Sequence, residues 1–226
     1  MKKITFSGVA IVIGLTGLVW CAVAVDSVTR VRGSGIVKTE SRDVSGFSEI
    51  ALIAIGEVHV ERGDKDSLTV EAEDNVLPLL ETTVKDGKLT LSPGSRTNIN
   101  PTKPIVYRIT TRQLDAVSIS GSGSVHAAKV DAKTFSIAVS GSGKVNASGK
   151  ADSLKIAISG SATADTSNLA VASARIAVSG SGKVTVNAQE TLDVSVVGSG
   201  SIDCLGNPKI QKRITGAGRV TAKTNE

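Results

Sequence analysis

Aromatic side chains are nearly missing from this sequence: three Phe, one Tyr and one Trp make up 2% of its 226 residues. A globular core usually leans on such rings, and stacking against bases or sugars needs exposed ones. Their scarcity argues against nucleic-acid binding and lowers the chance of a carbohydrate-cleaving groove. Cysteine is as scarce. Cys21 and Cys204 are the only two, and Cys21 lies in an apolar leader, so no intramolecular disulfide is expected. Cys204 is expected in the core. His59 and His126 are the only histidines. No Cys or His stands at ligand spacing, so both are expected as outward surface residues, with no zinc site. Proline is absent from Ile105 to Asn207, as a continuous ladder of paired strands requires. A dominant charge is lacking too. The net charge is +5, and without Lys2 and Lys3 the chain carries 24 basic against 21 acidic side chains. That surface is too weakly basic to imply nucleic acid.

Small and β-branched residues are abundant instead, and they recur. A Gly-Ser-Gly-x-Val tag, complete in Gly180-Ser181-Gly182-Lys183-Val184, begins at Gly121, Gly141, Gly160, Gly180, Gly198 and Gly216. The spacing is 18 to 20 residues throughout, which marks a solenoid with one coil per repeat. Aligned on the first Gly, the copies form columns. Two residues before it stand Ile119, Val139, Ile158, Val178, Val196 and Ile214. Four before stand Val117, Ile137, Ile156, Ile176, Val194 and Lys212. Apolar residues return four and six after, from Val125 and Ala127 to Val220 and Ala222. Odd offsets are polar or small, such as Ser120, Ser140, Ser159 and Ser179. This in-phase alternation predicts an all-β fold, a right-handed parallel β-helix with coils of about 18–20 residues over 113–226. At about 4.8 Å per coil the array is roughly 29 Å long. The six first glycines are the expected corners, where a positive φ costs Gly little. Stacked Ser and Thr hydroxyls are expected to bridge along the outside.

The remaining chain divides into a leader, a lead-in and a strand-rich region. Residues 1–24 read as a signal peptide: Lys2-Lys3, an apolar stretch, and Ala22-Val23-Ala24 as the cleavage pattern. An uncleaved membrane anchor helix over 4–25 and a lipidated Cys21 are the rival readings. All three place the rest beyond the cytoplasmic membrane, with membrane contact only through 4–25 if uncleaved. Residues 25–46 are a polar lead-in, in which Arg32-Gly33-Ser34-Gly35-Ile36-Val37 looks like a distant echo of the tag. The head domain is 47–226. Asp86-Gly87 between apolar runs predicts a hairpin, and 92–104, holding three of the five prolines, predicts a loop.

The repeated Ser-Gly-Ser-Gly-x-Val tag follows Asp43-Val44-Ser45-Gly46-Phe47 and a middle of Glu73-Asp74-Asn75-Val76-Leu77 and Val84-Lys85-Asp86-Gly87-Lys88-Leu89. This combination, from about Gly33 to Thr224, resembles the autotransporter-adhesin head GIN domain family. The resemblance implies a bacterial envelope or surface protein with a β-helical fold, and it brings no catalytic residues.

No catalytic, metal or cofactor site is expected. Ser142 with Lys144, or Ser181 with Lys183, imitates a Ser–Lys dyad, but such pairs recur in column, whereas catalysis needs one activated pair in a sheltered cleft. Asp64, Asp66, Glu71, Glu73 and Asp74 lack the Gly-Gly-x-Gly-x-Asp pattern of calcium-binding β-rolls and read as turns and solvated face. Lys144, Lys183 and Arg219 share an outward column and form a candidate contact stripe. The expected function is therefore a non-enzymatic, exported, adhesin-like interaction or structural module of the envelope. Its candidate partners are envelope polymers, surface ligands, or itself by end-to-end pairing. The alternative is a polysaccharide-active β-helix enzyme, which fold alone does not exclude.

Overall fold

The computed structural model describes residues 29–223. The leader, Cys21 and residues 224–226 lie outside the described residues. In chain order, β1 (Thr29–Arg32) and β2 (Val37–Arg42) precede β3 (Glu49–Ala54), β4 (Glu57–Arg62) and β5 (Ser67–Glu73). A single 3-10 turn at Leu77–Leu79 leads to β6 (Leu80–Lys85), β7 (Lys88–Pro93), β8 (Thr97–Asn100) and β9 (Val106–Thr111). The repeats supply β10 (Ala116–Gly121), β11 (Ser124–Gly141), β12 (Lys144–Gly160), β13 (Thr163–Gly180) and β14 (Lys183–Gly198). Then come β15 (Ser201–Leu205), β16 (Lys209–Gly216) and β17 (Arg219–Lys223). The fold is an all-β solenoid.

Residues before each tag stack into a first wall and residues after it into a second. In the first wall Ile156 pairs with Ile176 and Ile176 with Val194, all parallel. In the second, Val145 pairs with Ala164, Ala164 with Val184 and Val184 with Ile202. The sequence columns are therefore columns in space. Side chains alternate across a strand, so the even offsets turn inward. Ile176, Val184, Val194 and Ile202 are fully buried. A short third segment closes each coil, as where Ala151 meets Val171. Coil length varies by two residues, and the surplus is taken up by register shifts between Ala127 and Val130 and between Thr166 and Ala170. The tag corner stays in register throughout.

The corner explains the tag. Gly180 has φ +119, and a Cβ there would drive into the carbonyl of Gly160 in the coil below. Successive backbones approach too closely at this column for any side chain. The second Gly has a different task. It is buried, and a Cβ on Gly182 would lie 2.8 Å from Ile158 Cγ2. The third copy carries Ala162 at this place, 1% exposed, so one methyl is accommodated there. The outer hydroxyls do not bridge. Among the described residues no hydrogen bond joins Ser120, Ser140, Ser159 or Ser179 to one another, and all four are exposed. Each hydroxyl is left to solvent.

The N-terminal region holds coils that carry no tag. Glu49–Arg62 is itself a coil: Ile50 and Leu52 stack on Val117 and Ile119, and Val58 and Val60 stack on Val125 and Ala127. Its corner is Ala54-Ile55-Gly56, with Ala54 at φ 82 paired to Gly121. Below it lies a segment later in sequence, since β7 pairs with β3 and β9 with β4. Spatial order thus departs from chain order. Antiparallel strands then end the stack: β6 on β7, β5 on β9 and β2 on β5. Asp86 and Gly87, at φ 51 and 76, make the β6–β7 hairpin turn, the double positive φ such turns favour. Two local expectations are corrected. The stretch 92–104 is not all loop, because β8 forms a parallel pair with β1. Gly33-Ser34-Gly35 is not a coil corner. It is tied to the loops around Glu73 and Thr102 by the hydrogen bonds given below.

Candidate functional site

The interior is filled, so any binding chemistry lies on the outer walls, and these differ. The first wall is nearly uncharged. A shallow trough runs along it between a column of Ala51, Ser118, Ala138, Ala157 and Ala177 and a column of Ile53, Ser120, Ser140, Ser159 and Ser179. Ile53 and Val197 are 43% and 55% exposed there.

The second wall carries charge in two columns. The register runs Ser124, Lys144, Thr163, Lys183, Ser201, Arg219 in one. Lys144, Lys183 and Arg219 thus recur at every second coil, about 9.6 Å apart for a strand spacing of ~4.8 Å. All three are exposed, and no ion pair or side-chain hydrogen bond engages them. The neighbouring column runs Arg108, His59, His126, Asn146, Asp165, Thr185, Asp203. Asp203 is engaged by Lys223 at 3.1 Å.

The two histidines meet in this second column. Their rings stack with centroids 5.0 Å apart and planes within 10°. Glu57 Oε1 lies 2.8 Å from His59 Nε2 and 3.7 Å from His126 Nε2. The sequence places both histidines outward, and the structure does so too, but their contact was not legible. It depends on Glu49–Arg62 being a coil. The available signal was the offset: His59 stands five residues after Ala54, as His126 stands five after Gly121. As the side chains stand, no group of three or more His, Cys, Asp and Glu among the described residues forms a metal cluster.

Two acidic residues expected on a solvated face are buried fastenings instead. Glu73 is 1% exposed. It accepts hydrogen bonds from Gly35 N at 2.7 Å, Thr102 N at 2.9 Å and Thr102 Oγ1 at 2.5 Å. Burial pushes its pKa up, but these bonds and one from Lys103 N outweigh burial and leave it below its ordinary 4.5. Asp66, with a side chain 5% exposed, accepts from Gly46 N at 2.9 Å and Arg112 N at 3.2 Å. Burial again raises its pKa, and the hydrogen bonds and the Arg112 charge bring it below the usual value. Charge-assisted bonds of this kind are roughly twice as strong as neutral ones. Both carboxylates hold loops in place, and neither faces a cleft.

Of the imagined dyad, Ser142 and Lys144 are both exposed on the open surface, where nothing withdraws them from water. Cys204 is fully buried, and burial pushes its thiol up, the opposite of what a reactive thiolate needs. No helix among the described residues is long and apolar enough to cross a membrane.

A long β-solenoid with a filled bore and laddered outer walls defines a surface-presenting class of protein. The chain belongs to the family described as "Putative auto-transporter adhesin, head GIN domain", which matches residues 46–208. Solved structures agree with this. A "putative adhesin" from Bacteroides fragilis is 25% identical with a TM-score of 0.66, covering 86% of this chain and 100% of that one. A "putative adhesin" from Parabacteroides merdae is 18% identical, TM-score 0.57, covering 86% and 99%. A "putative lipid binding protein" from Parabacteroides distasonis is 22% identical, TM-score 0.54, covering 86% and 100%. No curated protein matches the chain.

Proposed function

We propose that this chain is an exported, non-enzymatic interaction module of the cell envelope, adhesin-like in role, which presents its second wall to an anionic envelope or surface polymer. The observation that carries the proposal is the column of Lys144, Lys183 and Arg219, exposed and without ion pairs. A stacked backbone holds the three in line. A polyanion lying along the coil axis meets them without bending, and little conformational entropy is lost on the protein side. Export is supported by the Lys2-Lys3 and apolar pattern of the leader and by the family. A right-handed winding is part of the proposal, because parallel crossovers strongly favour that hand.

The test is binding of the purified full chain to whole cells and to isolated anionic envelope polymers at rising salt. Binding is expected to fall with salt and to be lost in K144A/K183A/R219A. Binding unchanged in the triple variant removes the stripe. Turnover of a polysaccharide by the wild type removes the non-enzymatic reading.

Self-association is a second mode with its own observation. Among the described residues nothing pairs with the outer edges of β16 and β17, where Ile214 and Val220 are only partly buried. Unpaired edges invite strand addition. A concentration-independent monomer in sedimentation excludes it.

A further inference from the structure

The trio of Glu57, His59 and His126 has a geometry that surface residues seldom reach by chance. Glu57 and His59 are two apart on β4, so both point outward from one strand. His126 is paired with His59 across the parallel ladder. Two side chains from one strand and one from its neighbour can converge on a point above the sheet. Their polar atoms already do so in part, since Nε2 of each imidazole faces the same oxygen, Glu57 Oε1, at 2.8 and 3.7 Å.

These separations bracket the ligand–ligand distance of tetrahedral zinc, about 3.3 Å for Zn–N and Zn–O bonds near 2.0–2.1 Å. The trio is not a finished cage, because the rings lie flat on each other. It lacks only small side-chain rotations, and all three side chains are about 40% exposed and free to make them. Imidazole and carboxylate together suit a borderline cation such as Zn2+.

A further residue supports the arrangement. Asn146 Nδ2 lies 3.2 Å from His126 Nδ1. Asn amide N and O exchange by a simple flip. With the amide oxygen turned to Nδ1–H, Asn146 fixes the tautomer that leaves the Nε2 lone pair free for a cation, the role of an outer partner in metal sites. On β9, Arg108 flanks His59 and weakens cation binding. Glu61, two residues beyond His59, is engaged by Lys129 at 3.0 Å and leaves the trio alone.

We infer that Glu57, His59 and His126 form an open binding site for one divalent transition-metal ion of the zinc class on the second wall, with Asn146 as a positioning residue for His126. Three protein ligands leave at least one coordination position to water or to an anionic group of a partner.

The experiment titrates the metal-free full chain with ZnCl2 by calorimetry while NMR follows the imidazole resonances, which belong to His59 and His126 alone. Saturable uptake of about one equivalent is expected, with both imidazoles shifting together. H59N and H126N should each abolish it, and E57Q should weaken it at least ~10-fold. N146A should weaken it about 10-fold without changing the stoichiometry. C204S, altering a buried thiol remote from the trio, should bind as the wild type does. No saturable uptake, uptake that survives H59N or H126N, or uptake indifferent to E57Q overturns the assignment. Should a variant fail to fold, the wild-type NMR titration decides, because zinc at any other place leaves the two imidazoles unmoved.

Discussion

The coil around Ala54 and the coil around Gly180 share an interior and differ in their corners. Ile50, Leu52, Val58 and Val60 in one occupy the columns that Ile176, Val178, Val184 and Val186 occupy in the other, and all eight are buried. At the corner, one has a non-glycine at φ 82 and the other a glycine at φ 119. The apolar columns are therefore what make a coil. The tag makes coils stackable at close approach, where the Gly180 Cα lies against the Gly160 carbonyl. The surroundings differ as well. The Gly180 coil is held by its ladder alone, between two near-copies of itself. The N-terminal coils are also fastened by buried carboxylates at Glu73 and Asp66, each with specific long-range partners.

The difference can be broken first at the interior. Ile176→Asp puts a charge between Ile156 and Val194 and should cost more than about 4 kcal/mol, unfolding the array in thermal melts. Gly180→Val strikes the corner alone. It adds a Cβ against a backbone carbonyl at a positive φ and should cost about 3 kcal/mol by denaturant titration. A smaller effect is expected from Glu73→Gln, confined to the N-terminal fastening and revealed by pH. The folded-state pKa of Glu73 is lowered, so its contribution is fully present above its ordinary 4.5 and fades as pH falls through the lower folded value. Melting temperatures against pH should therefore drop less steeply in acid for the Gln variant than for the wild type. Ala54→Gly sharpens the comparison from the other side. Relief of a positive φ should stabilise by about 0.5–1 kcal/mol, since Gly bears that conformation more cheaply. Ser181→Ala should lie within about 0.5 kcal/mol of the wild type, because only the backbone N of Ser181 is engaged, donating to Gly160 O at 2.9 Å. A large loss there would show that the exposed hydroxyl has a task the fold does not explain.

The array was legible because identical environments recur, and a column such as Val117, Ile137, Ile156 can be seen without coordinates. The Ala54 coil was missed because the search followed the glycine, and Ala54-Ile55-Gly56 lacks the first one. The same offsets of Ile50, Leu52, Val58 and Val60 were in the sequence, but they carry no period when only one copy stands alone, separated from Gly121 by five strands. Its neighbours were beyond reach for another reason. Nothing local announces that residues 88–111 lie beneath residues 49–62, since that order rests on parallel pairing between distant segments. The Glu73 and Asp66 fastenings share this origin: an acidic side chain in a turn reads as solvated until its donors, here from Thr102 and Gly46, are placed around it. For the outer wall, the alignment of Lys144, Lys183 and Arg219 follows from the tag spacing alone, whereas the stacking of His59 on His126 follows only from the unrecognised coil.

The displaced order of the first coils also governs how the molecule is put together in time. Both neighbours of Glu49–Arg62 come later in the chain: β7 and β9 on one side, β10 and β11 on the other. A chain delivered N-terminus first therefore offers Ile50, Leu52, Val58 and Val60 to its surroundings before anything exists to cover them. Tag-bearing coils can zip one onto the next as they appear, but they have no seed until Thr111 has arrived and the segments beneath have docked. Nucleation thus waits on long-range closure, while propagation is local and quick. This interval, with bare strand edges and apolar columns, is when the molecule is most exposed to pairing with another copy of itself.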